Sequence, residues 1–397
     1  MRLSDRANAI KPSVTLAVTA KAQAMRAQGI DVVNFGAGEP DFATPVRIRE
    51  AAVKAMEQGM TKYTEVRGIE PLRQAISEKY QREYGLKYSP DEVVVSCGGK
   101  HAIYNLFQAT LQEGDEVIIP APYWVSYLDM AILAGAVPRI ITTKEENGFR
   151  ITPEELRSAL NRKTRGFMLN SPSNPTGAAY TKKDLAALSE VLERHHCLIF
   201  SDDVYEKFVY DDFQFHTILA VNPKLRERTV ILNSLSKTYA MTGWRIGYAL
   251  GPGPLISAAA KIQSQSTSNA SSFSQVAAVE ALQGLQDDVV MMVQEFRIRR
   301  DMIVERLRAI EGVQCPNPEG AFYLFPNVRT FIGKNWKDNK IDSACKLSEF
   351  LLEEAQVAVV PGEDFGSAEN VRISYALSRE QIEKGCDRIA AVVKKLR

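Results

Sequence analysis

The amino-acid sequence predicts an α/β protein: a large domain on a mostly parallel sheet with helices on both faces, and a smaller α+β domain. Three observations carry this expectation. Between about residues 90 and 250, short apolar runs alternate with longer helical patterns. The runs are rich in β-branched residues and lack polar alternation, which marks strands buried on both faces, as in parallel sheets. After about residue 285 the alternation stops, and a long charged helical pattern leads into short strands. The chain has 397 residues, too many for one ordinary core and right for two or three domains of ~150 residues each. We expect an N-terminal arm with part of the smaller domain over 1–40, the large domain over 41–285 and the smaller domain over 286–397.

In order along the chain, "EVVVS" precedes Gly98-Gly99 and the helical "KHAIYNLFQATL". "DEVIIP" leads into "APYWVSYLDMAILAG". "TRGFMLN" precedes the turn-rich "SPSNPTG" and then "TKKDLAALSEVLERHH". "CLIFSDD", "TVILNS" and "RIGYAL" complete the strand series. The smaller domain follows as "DDVVMMVQEFRIRRDMIVERLRAIEG", "GAFYLFPNV", "VAVVPG" and "NVRISYAL", joined by the N-terminal helix. In such sheets a ligand sits at the C-terminal ends of the strands. The polar residues fall there: Gly98 and Gly99, Asn174, Asp202 with Tyr205, and Ser234, Ser236 and Lys237.

Composition excludes several function classes. Lys and Arg total 49 against 48 Asp and Glu, a net charge of +1, with no basic footprint for nucleic acid or membrane surface. The five cysteines are far apart without a CxxC pair, as expected of free thiols in a reducing, cytoplasmic setting. The four histidines show no metal-binding spacing. No apolar stretch reaches the ~20 residues of a membrane helix, and "VTLAVTA" near the start is too short for a signal segment.

The stretch "NSLSKTYAMTGWRIGYAL" sets Lys237 between Ser236 and Thr238, beside small and apolar residues. A lysine becomes a nucleophile only if its amine can lose the proton, which burial and nearby cations promote. Arg245, eight residues on, offers such a charge and a forked donor suited to phosphate. Taken alone, a lysine flanked by serines is a surface loop.

The wider pattern changes that reading. In chain order, "GAGEPDF", "NSPSNPTG", "SDDVYE", "SLSKTYAMTGWRIGYALG" and "VRISYA" resemble the signatures of class I aminotransferases. These are pyridoxal-phosphate enzymes of the aspartate aminotransferase fold, fold type I, with a large domain on a seven-stranded type of sheet. The resemblance runs from about residue 2 to the C-terminus. "NAIKPSVTLAV", "GGKHAIYNLFQA" and "APYWVSY" resemble the bacterial-type aspartate aminotransferase subgroup, some members of which also transaminate prephenate.

The resemblance implies a role for each residue, and the chemistry of pyridoxal 5'-phosphate supplies a reason. Lys237 would bind the cofactor covalently and act as the catalytic base. Its pyridine nitrogen should stay protonated, which needs a buried carboxylate, and Asp202 is the candidate; otherwise it is a helix N-cap. Asp203 stands where many relatives carry Glu. Tyr205 and Asn174 would donate to the phenolate oxygen; singly they read as a core tyrosine and a turn asparagine. Gly98 and Gly99, with Ser234, Ser236, Arg245 and Lys100, would surround the phosphate at a helix N-terminus. Trp124 would stack on the ring. Tyr63 would reach the phosphate of a neighbouring subunit, which predicts a homodimer.

For the substrate, Arg372 would bind the α-carboxylate as a bidentate pair, with the backbone of Gly38 beside it. Trp124 and Asn174 would touch the substrate as well. Lys100 would meet a distal carboxylate, and Lys11 is associated with prephenate use. The expected function is transfer of the amino group from L-aspartate to 2-oxoglutarate, giving oxaloacetate and L-glutamate by a ping-pong mechanism, with prephenate as a further substrate. The alternatives are an aminotransferase preferring aromatic or other substrates, a β- or γ-lyase on the same fold, and a non-catalytic binding module.

Overall fold

The computed structural model describes residues 2–10, 14–337 and 339–397. Its centre is a seven-stranded sheet: β1 (Val93–Ser96), β2 (Glu116–Ala121), β3 (Val137–Thr142), β4 (Thr164–Asn170), β5 (Leu198–Asp202), β6 (Thr229–Ser234) and β7 (Gly247–Leu250). The spatial order is β1-β7-β6-β5-β4-β2-β3. Strands β2 to β6 pair in parallel, whereas β7 runs antiparallel to both β1 and β6.

Burial on both faces follows from the sequence. Successive side chains point to opposite faces of a strand, and here both faces are apolar. Val93 and Val95 enter one core and Val94 the other; Phe167 and Leu169 oppose Met168; Ile231 opposes Val230 and Leu232. The sequence reading missed β3. It is an edge strand paired only to β2, and half of it is open to solvent, so it shows no continuous apolar run.

Helix α1 (Glu70–Tyr84) packs beside β1, and α2 (Gly99–Thr110) starts directly from the Gly98 turn. The 22-residue α3 (Asp287–Arg308) carries the chain into a second core with α4 (Ala344–Ala355) and α5 (Arg379–Val393). The Ser343 and Ser378 hydroxyls cap α4 and α5, satisfying backbone donors that helix starts leave open. A three-stranded sheet joins β8 (Tyr323–Leu324), β9 (Val360–Pro361) and β10 (Val371–Ser374). The segment "VAVVPG" divides between two partners: Val357 and Ala358 pair in parallel with Val33 and Asn34, while Val360 and Pro361 pair with β10. The N-terminal helix Val14–Ala27 packs through Val18, Ala22 and Met25 on Leu352 and Ala358.

Among the described residues, no helix is long and apolar enough to cross a membrane. The core around α4 and α5 meets the sheet-face core of Val93 and Val95 where Phe42 and Val293 pack against both. Phe296 on α3 is the nearby anchor. It is fully buried, stacks on Phe322 at 5.3 Å and meets Phe42 and Phe208 edge-on. Phe296→Ala should therefore cost about 3–5 kcal/mol of stability, read as a lower denaturation midpoint; a midpoint within error of the parent would show that this aromatic cluster is not a structural anchor.

Candidate active site

The C-terminal ends of β4, β5 and β6 open onto a cavity of 460 Å³. It is lined by Gly38, Gly99, Lys100, Trp124, Asn174, Asp202, Tyr205, Ser234, Ser236, Lys237, Arg245 and Arg372. Gly98 adjoins it through Gly99. Tyr63, which the resemblance assigns to a neighbouring subunit's site, is 90% exposed and does not line this cavity, and Lys11 falls outside the described residues.

Lys237 sits on the short helix Leu235–Thr238 that follows β6. Its Nζ donates to the Gly38 carbonyl. Burial pushes its pKa down to about 8. The Glu39 charge opposes that shift, and the cations of Arg372, Arg245 and Lys100 add to it. The loop after Lys237 is held under backbone strain. Ala240 and Arg245 take left-handed conformations, with φ of 50° and 58°, unfavourable for residues with a Cβ. The Thr44 hydroxyl donates to the Ala240 carbonyl at 2.6 Å, and the Trp244 indole donates to Thr44 at 3.0 Å. That tie fixes the loop to the segment at Thr44.

Asp202 ends β5 and is buried. Its Oδ2 accepts from the Tyr127 hydroxyl and its Oδ1 from the Val204 N–H at 3.2 Å. Burial raises its pKa to about 6, against the lowering effect of these bonds and of the Lys237 charge. The chain after Asp202 forms turns, not a helix, so the N-cap alternative falls away. Tyr205 shares a hydrogen bond of 2.9 Å with Tyr323. Burial and that neighbour push the Tyr205 phenol well up, so it remains a hydroxyl.

Arg372, on β10, is buried. Its Nη1 donates to Asn174 Oδ1 at 3.1 Å and its Nη2 to the Gly36 carbonyl at 2.9 Å. The first bond commits the acceptor end of the Asn174 amide and leaves its donor end for a ligand. Arg372 lies 4.7 Å from the Tyr323 ring centre. Its Nε is buried with no hydrogen-bond partner among the described residues, a costly state unless something else occupies the site.

On the opposite side, Gly98 is left-handed at φ 94°. A Cβ there would lie 2.2 Å from Arg245 Nη2. A Cβ on Gly247, in β7, would lie 2.1 Å from the Gly99 nitrogen. The turn is thus pressed between a guanidinium and a strand, with the N-terminus of α2 facing the cavity. Arg245 is held by the Thr242 and Cys97 carbonyls at 2.8 and 3.2 Å. Lys100 lies 5.1 Å from the Trp124 ring centre. Burial, then the Arg245 charge, lowers its pKa.

Sequence reasoning overlooked Tyr127, Tyr323 and Glu39. Tyr127 stands three residues after Trp124, but nothing local separates it from a core tyrosine. Tyr323 becomes significant only when β8 lies beside β10. Glu39 is exposed, and its carboxylate accepts from the Thr242 hydroxyl at 2.6 Å across the mouth of the cavity.

The sequence model of the family described as aminotransferase class I and II matches residues 30–389. The aspartate/prephenate aminotransferase of Cereibacter sphaeroides is 53% identical over 391 residues, covering 98% of each chain. The aspartate aminotransferase of Bacillus subtilis is 46% identical over 396 residues and the full length of both. The solved aspartate aminotransferase of Rhizobium meliloti has a TM-score of 0.97 at 46% identity, covering all of both chains. That of Thermus thermophilus, with maleate, has a TM-score of 0.93 at 44% identity, covering 99% of this chain and 100% of its own. Identity at this level over whole chains, on one shared fold, makes this chain a member of the class I and II aminotransferases, of fold type I.

Proposed function

We propose that the cavity holds pyridoxal 5'-phosphate and that the chain transfers an amino group from L-aspartate to 2-oxoglutarate. One observation carries this reading. A lysine amine with a pKa depressed to about 8 shares a single cavity with a buried carboxylate, Asp202, and a buried guanidinium, Arg372. The residues fit the cofactor. The side-chain-free turn at Gly98 and Gly99, with the Arg245 guanidinium beside it, suits a phosphate, and Ser234 and Ser236 supply hydroxyls. Asp202 would face the pyridine nitrogen, Tyr205 and Asn174 the phenolate, and Trp124 one face of the ring. Lys237 would join the aldehyde carbon.

When bound, the cofactor supplies a sink for the electron pair left at the substrate's Cα. The protein's own groups do the rest. Arg372 would bind the α-carboxylate through its guanidinium, with Gly38 beside it. This fixes which Cα bond faces Lys237, whose amine moves the Cα proton as general base and acid. The walls of Tyr323, Trp124 and Tyr205 exclude water. Departure of the first oxo acid before the second enters gives ping-pong kinetics.

Two relatives named for aspartate, and a Thermus thermophilus structure with the dicarboxylate maleate, support a dicarboxylic substrate. Lys100 is the candidate second cation. Prephenate use rests on the Cereibacter sphaeroides relative's name. A homodimer agrees with the exposed apolar run of Val53, Met56, Met60 and Tyr63. The five free cysteines agree with a reducing cytoplasm.

Borohydride reduction of the cofactor-loaded chain followed by peptide mapping should find the adduct on Lys237, and Lys237→Ala should lower kcat by roughly 10²–10⁴-fold or more. An adduct on another lysine would sink the assignment. Arg372→Ala should reduce kcat/KM for aspartate by about 10- to 150-fold, the worth of a charge-assisted hydrogen bond, while leaving cofactor uptake intact; unchanged kcat/KM would place the α-carboxylate elsewhere. Tyr127→Phe removes a bond that lowers the Asp202 pKa, so that pKa rises further. The acidic limb of the activity profile should then move to higher pH, and a limb that stays put or moves down would contradict the Tyr127–Asp202 coupling.

A further inference from the structure

Behind the cavity wall a polar cluster joins three separate segments. Lys79, on α1, and Glu206, just after Tyr205, are 2% and 4% exposed. The Lys79 ammonium donates to Glu206 Oε1 at 2.5 Å. Lys79 also pairs with Glu83 at 3.3 Å, and Lys207 pairs with Glu83 at 2.7 Å. The Tyr84 hydroxyl donates to the other oxygen of Glu206. The third segment is the end of β6. There Asn233 Nδ2 donates to Glu206 Oε1 at 2.9 Å and to the Tyr80 hydroxyl oxygen at 3.2 Å. Asn233 Oδ1 accepts the N–H of Ser234 at 2.7 Å.

A buried ion pair is a weak device for stability, because desolvation offsets its attraction; fixing one geometry is a better-supported use. Here the charge has a definite consequence. An ionised carboxylate only accepts hydrogen bonds, so the amide of Asn233 must turn its NH₂ towards Glu206. Its oxygen then has one direction left, towards the N–H of Ser234. A neutral amide at 206 would donate or accept equally well, and the orientation of Asn233 would no longer be enforced. Ser234 packs against Gly99, its Oγ 3.8 Å from where a Cβ on that glycine would stand, and Lys237 follows three residues later.

We propose that Glu206 and Asn233 are positioning residues: the buried Lys79–Glu206 pair holds the Asn233 amide in one orientation, and that amide sets Ser234 and the strand end leading into Lys237. The inference rests on the reading of the cavity as a pyridoxal-phosphate site. It adds a support that links α1, the Tyr205 turn and β6 through one carboxylate.

The test uses the full chain freed of cofactor, titrated with pyridoxal 5'-phosphate and followed by absorbance, beside thermal melting of the cofactor-free chain. Glu206→Gln and Asn233→Ala should raise the dissociation constant about tenfold or more, the loss of roughly one buried hydrogen bond's worth of orientation. Both should also shift the absorbance maximum of the bound cofactor. Tyr84→Phe removes the other bond to Glu206 without touching Asn233, and should bind within about twofold of the parent even where it lowers the melting temperature. If Asn233→Ala does not fold, Asn233→Asp takes its place; it keeps the acceptor for Ser234, sets a carboxylate against Glu206, and should also weaken uptake. Parent-like affinity and spectrum in the Glu206 and Asn233 variants would overturn the inference. So would a loss in Tyr84→Phe as large as theirs, because the cluster would then act only through stability. A parent chain that takes up no pyridoxal 5'-phosphate would overturn the reading of the cavity, and the inference with it.

Discussion

An ammonium group taken out of water loses several kcal/mol of hydration, and Lys237 is placed where that loss is not fully repaid. Its Nζ meets one carbonyl, that of Gly38, while Arg372, Arg245 and Lys100 act on it as like charges. The exposed Glu39 carboxylate pulls the other way. The neutral amine is more accessible than in an ordinary lysine as a result, and a neutral amine is a nucleophile and a base. Lys100 and Arg372 come from distant parts of the chain, so the fold must bring them to Lys237 before the amine acquires this character.

The same economy of charge governs the other buried groups. Asp202 is raised to about 6 by burial, yet Tyr127 and the Val204 N–H keep it from rising further. A carboxylate in that state pairs readily with a positive ring nitrogen and is unfavourable alone. Arg372 is oriented by Asn174 and Gly36 but retains an unmatched Nε. These charged groups share one cavity, as the proposed binding of an amino acid and a phosphorylated pyridine requires.

Much of this was legible in the sequence, for a physical reason. Strands buried on both faces must be apolar throughout, so "TRGFMLN", "CLIFSD" and "TVILNS" stand out, and the polar residues that break them fall at strand ends. Asn174, Asp202, Tyr205 and Lys237 could therefore be assigned to one crevice before any coordinates. The edge strand β3 could not be seen, because a strand open on one side need not be apolar. Tyr323 gained its place only through the pairing of β8 with β10, and Lys79 meets Glu206 across 127 residues of chain. No local pattern announces such partners. The reversed direction of β7 was also hidden, since "RIGYAL" reads as a strand in either sense.

Arg372 and the Gly36–Gly38 ribbon belong to one hydrogen-bonded body. Ser374 donates to the Phe35 carbonyl, Phe35 donates to Ala358, and the Arg372 guanidinium closes on Gly36. Lys100 and Trp124 belong to the other body, at the start of α2 and after β2. On the proposed roles, the two ends of an amino acid would be read by separate pieces of architecture. An enzyme engineer seeking a new side-chain preference can treat the first piece as a fixed grip common to every amino acid, and confine redesign to the second.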